Sequence, residues 1–170
     1  MASSGKKWNI RPYGPEDREA CLKIFDSNLP DAFIQDERVK FEAFLEANPE
    51  NYLVVEGEGG ELAACGGYEV GLEGGAGTLC WGMVAKDQQG LGFGRLLLMS
   101  RLSAMAQIPQ MRFVRLDTSQ QSVEFFMKKG FRTYRITQDY YGPKLNRYEM
   151  YLLLDDENIR KSLTAWTEDE

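Results

Sequence analysis

Gln89-Gly90-Leu91-Gly92-Phe93-Gly94-Arg95 runs directly into the apolar stretch Leu96-Leu97-Leu98-Met99. It reads as a glycine-rich turn that opens a helix. Glycines at 90, 92 and 94 let the backbone take φ > 0 and approach a ligand closely, and the first N–H groups of the following helix have no intrahelical partners. Together with the positive end of the helix dipole, those donors make an anion cradle. Spacing excludes two better-known phosphate loops. A Walker loop ends Gly-Lys-Ser/Thr, whereas this one runs Gly94-Arg95-Leu96, and a dinucleotide fingerprint needs a third glycine where Arg95 or Leu97 stands.

What fits is Gln-x-x-Gly-x-Gly at Gln89, Gly92 and Gly94, preceded by the strand-like Thr78-Leu79-Cys80-Trp81-Gly82-Met83-Val84 and followed by a helix over 96–106. This resembles the acetyl-CoA motif of the GNAT acetyltransferase superfamily. A second match, Leu116-Asp117-Thr118-Ser119-Gln120-Gln121-Ser122-Val123-Glu124-Phe125-Phe126-Met127-Lys128-Lys129-Gly130-Phe131, is similar to the other signature of that family: a strand, a short helix and a Lys-x-Gly-Phe ending. Both motifs stand in the family's order, and the resemblance spans about residues 8–154. Three positions depart from the pattern. Ser119 replaces the usual Asn, Ser122 the usual Ala, and Phe126 the frequent Tyr.

The composition is consistent with one domain over 1–170, with a core at about 8–154 and a charged tail at 155–170. A chain of 170 residues with 43% apolar content can fill one sizeable core. No apolar run approaches the ~20 residues of a spanning helix, and the N-terminus lacks the apolar stretch of a signal peptide, so the expected location is the cytoplasm, away from membranes. Three scattered cysteines indicate neither a disulfide framework nor a zinc site. There is no histidine, which rules out Ser-His and Cys-His nucleophile pairs and His-based metal sites; no metal is expected. A formal charge of −6 argues against nucleic acid as a partner and suits a cationic amine.

Periodicity and turn residues predict strands over 8–13, 52–56, 61–70, 78–85, 112–116, 131–137 and 147–154, and helices over 16–27, 37–47, 96–106 and 120–129. The tail carries Trp166 and reads as peripheral. The fold class is a mixed α/β sheet with helices on both faces.

The resemblance implies that this sheet splays between its fourth and fifth strands, that the pantetheine arm of acetyl-CoA pairs with the backbone at Met83, Val84 and Ala85, and that an N–H near Val84 faces the thioester oxygen. The pyrophosphate is then expected on Gln89, Gly90, Leu91, Gly92, Phe93, Gly94 and Arg95, with Ser119, Ser122 and Phe126 completing the cofactor side. The reaction implied is direct transfer of an acetyl group to an amine acceptor. Phe126 cannot protonate the leaving thiol, and Tyr140 and Tyr141 are the nearest replacements in sequence. Glu69 and Glu149, on strands, are candidate bases. Strand alternation along 78, 80, 82 and 84 would turn Cys80 toward the cleft, where packing is its expected role because nothing activates it as a nucleophile. Three functions stay open: acetylation of a small primary amine, acetylation of a peptide or lysine side chain, and non-catalytic acyl-CoA binding. A homodimer through sheet edges or C-terminal segments is also open.

Overall fold

The computed structural model describes residues 8–71, 73 and 75–168; the first seven residues, two positions of the 71–77 turn and the last two of the tail lie outside the described residues. Seven strands are found among them: β1 (Asn9–Pro12), β2 (Tyr52–Glu56), β3 (Leu62–Val70), β4 (Ala76–Val84), β5 (Phe113–Thr118), β6 (Arg132–Gly142) and β7 (Leu145–Leu153). They form one sheet in the order β1-β2-β3-β4-β5-β7-β6. Only β4 and β5 are parallel, and β4 reaches β5 through α3 (Phe93–Ala106), as a parallel crossover requires.

Neighbouring residues of β2 and β3 point to opposite faces, and each face has its own helical cover. Val54 and Cys65 pack with Cys21, Phe25, Phe41 and Leu45 of α1 (Arg18–Ser27) and α2 (Gln35–Glu46). Val55 and Ala64 pack instead with Leu96 and Leu97 of α3. Further along the sheet, Leu98, Leu102 and Met105 of α3 meet Val114, Leu116, Met150 and Leu152. At Gly77 an added Cβ would lie 2.5 Å from Met105 Sδ, so a glycine is what lets α3 sit this low on β4.

Two features separate β4 from its neighbours. Cys65 pairs with Met83 and Gly67 with Cys80, so Trp81 and Gly82 together oppose Gly66, a β-bulge. Its pairing with β5 then stops at Thr78, leaving the rest of β4 and the 116–118 end of β5 without each other. The expected splay is therefore present, and it begins at Leu79. The bulge also breaks strict alternation along β4.

Element boundaries move where a tertiary contact overrides local pattern. The α3 helix begins at Phe93 because Gly92, at φ 93°, serves as its left-handed N-cap. The short helix α4 covers only Val123–Met127, since Ser119 to Ser122 form a turn closed by the Ser122 N–H donating to the Ser119 carbonyl. β6 continues to Gly142 through irregular pairing with β7, carrying Tyr140 and Tyr141 into the sheet.

The tail departs most from expectation. Helix α5 (Glu157–Ala165) starts at Asp156, whose side chain accepts the N–H groups of Asn158 and Ile159, and it packs along α3. Arg160 donates to the carbonyls of Ala106 (2.9 Å), Ile108 (3.2 Å) and Met111, which end α3 and lead into β5. Leu163 and Trp166 are buried, Leu163 in the α3–β5–β7 core. The tail read as peripheral is thus part of the packing. Leu163→Ala should cost about 2–3 kcal/mol of unfolding free energy, measured by urea titration, as a core leucine rather than a surface one does.

Candidate active site

The parting of β4 from β5 opens a cleft of about 1010 Å³ that runs from the start of α3 to the α1–α2 loop and the end of β6. Its geometry begins with a backbone hydrogen bond. The Ala85 N–H donates to the Ala63 carbonyl at 2.8 Å, so in the antiparallel alternation Val84 turns its own N–H and carbonyl away from β3, toward the gap. The carbonyl is held by Asn28, whose Nδ2 donates to it at 2.9 Å, while Gln89 Nε2 donates to Asn28 Oδ1 at 2.9 Å. Asn28 is buried at the end of α1 and also donates to the Ile24 carbonyl. The Gln89 side chain therefore ties the glycine loop to α1 and β4.

At the mouth, α3 starts without a side-chain cap, leaving its first N–H groups free. Gly90 (φ 79°) and Gly92 (φ 93°) lie in the left-handed region, where any side chain would be strained. Gly94 is different. A Cβ there would touch only Val84 Cγ2 at 3.6 Å and the Phe125 ring at 3.7 Å, ordinary contacts. Arg95 lines the same end. Uncapped donors, a helix dipole and an arginine can together hold a phosphate group.

At the far end the walls are acidic and aromatic. Asp31, Phe33, Glu37, Trp81, Asp117 and Tyr141 line it. Asp31 is paired with Lys86 Nζ (2.8 Å) and Asp117 with Arg147 Nη2 (2.6 Å). Glu37 makes no ion pair with another described residue. Its Oε2 accepts the Ile34 N–H that opens α2, and burial raises its carboxyl above the ordinary range, opposed by that hydrogen bond and by Lys40. Burial, then Asp117 and Glu37, also push the Tyr141 hydroxyl up, with Arg147 opposing, so it stays protonated at neutral pH.

Of the residues expected from sequence, Met83, Val84, Gln89, Gly90, Gly92, Gly94, Arg95, Ser119, Ser122, Phe126 and Tyr141 come together in the cleft. Ala85, Leu91 and Phe93 do not line it: Ala85 is buried, Leu91 is 66% exposed, and Phe93 packs with Leu96 and Val84. Tyr140 is exposed on β6 with Arg147 stacked 4.6 Å from its ring centroid. Glu69 is exposed opposite Thr78, outside the cleft. Glu149 is buried but paired with Arg135 and Arg147, and the Arg135 hydrogen bond holds its carboxyl below the ordinary range, which suits an ion pair and not a base. The bulge removes Cys80 from the lining, and burial pushes its thiol up to about 12, so it stays un-ionised. Sequence reading passed over Asn28, Phe33, Glu37, Asp117 and Arg101. They lie on elements far apart in the chain, and no local spacing marks them.

A seven-stranded mixed sheet parted at β4–β5, with an uncapped glycine-led helix at the gap, is the GNAT-type fold expected from the two sequence motifs. The family model for the acetyltransferase (GNAT) domain matches residues 16–152, and the chain belongs to that family. Comparison with curated proteins gives no match. Among solved structures, Ard1 from Thermoplasma volcanium is 20% identical with a TM-score of 0.72, covering 86% of this chain and 97% of that one. The ribosomal-protein-S18-alanine N-acetyltransferase from Escherichia coli is 20% identical with a TM-score of 0.70, covering 89% and 97%. Spermidine N-acetyltransferase from Vibrio cholerae, solved with CoA and spermine, is 15% identical with a TM-score of 0.67, covering 88% and 96%. Among the described residues no helix is long and apolar enough to cross a membrane, and no group of three or more cysteine, aspartate or glutamate side chains is placed to hold a metal ion.

Gly94 gives the cleaner test of the cradle, because substitution there brings no backbone strain. Gly94→Asp should weaken acetyl-CoA binding by about 3 kcal/mol, a hundredfold, through charge repulsion at the helix start, whereas Gly94→Ala should bind within a few-fold of wild type. Calorimetric titration of both variants, with thermal melts to show that they fold, decides it.

Proposed function

We propose that this chain transfers the acetyl group of acetyl-CoA directly to the primary amine of a small cationic molecule. The observation that carries the reading is Glu37, a half-buried carboxylate with no ion pair to another described residue, which lines the cleft together with Phe33, Trp81 and Tyr141. An ammonium group is attracted to such a wall by charge and by aromatic faces. The fold is shared by a ribosomal-protein-S18-alanine N-acetyltransferase and a spermidine N-acetyltransferase, so the fold alone leaves the acceptor open.

In this reading the α3 start and Arg95 hold the pyrophosphate, and the open edge of β4 receives the pantetheine arm as a strand would be received. The Val84 N–H polarises the thioester oxygen and stabilises the charge that develops there. An alkyl ammonium has a pKa of about 10 and must lose a proton before it can attack. Glu37 accepts that proton, and its raised pKa makes it a better base than an exposed glutamate. The C–N bond forms and the C–S bond breaks with its electron pair going to sulfur; the second proton of the ammonium leaves to water. Tyr141, beside Asp117 and Glu37, orients the acceptor nitrogen. Cys80 forms no acyl intermediate, because its thiol is held protonated.

Three measurements test this. Steady-state release of free thiol against a panel of diamines, polyamines, aminoglycosides and peptides should show turnover with a small di- or polyamine; turnover with peptides alone would replace the proposed acceptor. Glu37→Gln keeps an acceptor for the Ile34 N–H and removes the base, so kcat should fall about 10²-fold with acetyl-CoA affinity unchanged. The acid limb of kcat should vanish with it, since wild type loses activity as the pH falls through the raised Glu37 pKa. Tyr141→Phe should raise the KM for the amine several-fold with kcat nearly unchanged, and a kcat loss of tenfold or more would instead make Tyr141 the proton donor to sulfur.

A further inference from the structure

The lining of the cleft includes three leucines and one buried arginine. Leu79, Leu97 and Leu116 line it, and with them Arg101, which is only 4% exposed. The guanidinium reaches the sheet because two glycines clear its path. A Cβ on Gly82 would lie 2.9 Å from Nη1 and 3.0 Å from Nη2, and one on Gly66 would lie 3.1 Å from Nη1. Nε donates to the Leu97 carbonyl (3.1 Å) and Nη1 to the Gly67 carbonyl (3.2 Å). No carboxylate pairs with it among the described residues. The ionisable groups facing it are Cys80, Tyr52 and Cys65, and burial holds the first two protonated. A buried cation without a counter-charge is costly unless an anion arrives. Burial brings its pKa down to about 10, which still leaves it charged at neutral pH.

Across the cleft, Phe126 offers no proton where the thiol must leave, and Tyr141 stands on the acceptor wall among carboxylates. Negative charge on sulfur needs another source of stabilisation. We propose that Arg101 provides it, its guanidinium holding the departing sulfur of CoA as the thiolate through the gap left by Gly82, so that this chain uses a fixed charge where a hydroxyl donor is missing. The inference rests on the function proposed above. The step stays balanced: the C–S electron pair remains on sulfur, and the thiolate takes its proton from water after release.

A thiol in bulk water ionises near about 8.5, and an opposite charge within ~4–6 Å lowers that by one unit or more. Of the other charged groups that line the cleft, Glu37 acts in the other direction, Asp31 and Asp117 are paired with Lys86 and Arg147, and Arg95 stands at the start of α3. The test is therefore a pH titration of CoA bound to the wild-type protein, followed by ultraviolet absorbance of the thiolate as a difference against protein alone. The protein's own Cys21 and Cys80 thiols are held too high to contribute. The bound thiol should ionise at least about one unit below its free value. Arg101→Lys should keep that shift, and Arg101→Met should lose it and lower kcat by about tenfold or more while acetyl-CoA still binds.

Bound CoA with a thiol at or above its free pKa in wild type overturns the inference and leaves the proposed function standing, and this result needs no variant to fold. Absence of CoA binding by calorimetry overturns both. A preference for malonyl- or succinyl-CoA over acetyl-CoA that Arg101→Met abolishes would place the anion on the acyl group and likewise overturn the thiolate role.

Discussion

The bulge at Trp81–Gly82 is the constraint from which the cleft follows. One extra residue in β4 turns the strand away from its neighbour just beyond the last β4–β5 pair, and everything the cleft offers is backbone or side chain released by that parting. The bulge is strained. Trp81 has φ 45°, a conformation that costs of order 1–3 kcal/mol for a bulky side chain. The aromatic cluster under α1 and α2 holds it there, with Phe41 at 5.0 Å, Phe44 at 6.3 Å and Phe33 at 6.4 Å between ring centroids, and the buried Tyr52 hydroxyl donates to the Trp81 carbonyl at 2.9 Å. Offset and tilted aromatic pairs contribute about 0.5–1.5 kcal/mol each beyond the area they bury, enough to offset such a backbone. The phenylalanines of α1 and α2 thus have a role beyond filling a core. They fix the geometry of a strand edge on the far side of the tryptophan.

The same bulge explains what could and could not be read from the sequence. The glycine loop, the strand before it and the helix after it are contiguous, so the glycine-led start of α3 at the mouth of the cleft was legible in seven residues. Parity along β4 was not legible. Gly82 inside the strand is the kind of mark that a bulge leaves, but the residue that takes φ > 0 is the neighbouring Trp81, where a glycine or asparagine is the usual signal. Cys80 was therefore expected on the wrong side. Glu37 was hidden for a different reason. It reads as an ordinary solvent-facing position near the start of a helix, and only the return of β6 with Tyr141 encloses it. Tyr140 and Tyr141 could not be separated by sequence, since neighbours on a strand face opposite ways and the register of β6 against β7 is irregular.

The tail shows the limit of composition as a guide. Residues 155–170 are charged, and a charged segment suggests a solvated one. Yet a single arginine, Arg160, takes up carbonyls at the end of α3 and in the turn before β5, where a helix otherwise leaves its last acceptors without partners. Since α3 presents uncapped N–H groups at one end and Arg101 near its middle, anchoring its C-terminal end fixes the whole lever on which those groups are mounted. The tail also reaches the other end of that lever, since Trp166 packs in one cluster with Leu96 and Leu97 of α3.

Charge in the cleft is segregated, and the segregation follows from topology. Positive charge comes from α3 and the loop before it: the dipole, Arg95 and Arg101. Unpaired negative charge comes from α2 through Glu37, while Asp31 on the α1–α2 loop and Asp117 on β5 line the cleft in ion pairs with Lys86 and Arg147. Acyl transfer to an amine needs that polarity. In the proposed reaction the donor carries phosphates and leaves as a thiolate while the acceptor arrives as an ammonium, so each would meet charge of the opposite sign. A parted parallel pair produces this arrangement readily. The crossover helix between its two strands must start at the gap, delivering its positive end there, while the antiparallel strands beyond β5 bring unrelated side chains to the opposite rim. Field and shape are thus set by the same topological fact, the right of β4 to leave β5, which the strained tryptophan secures.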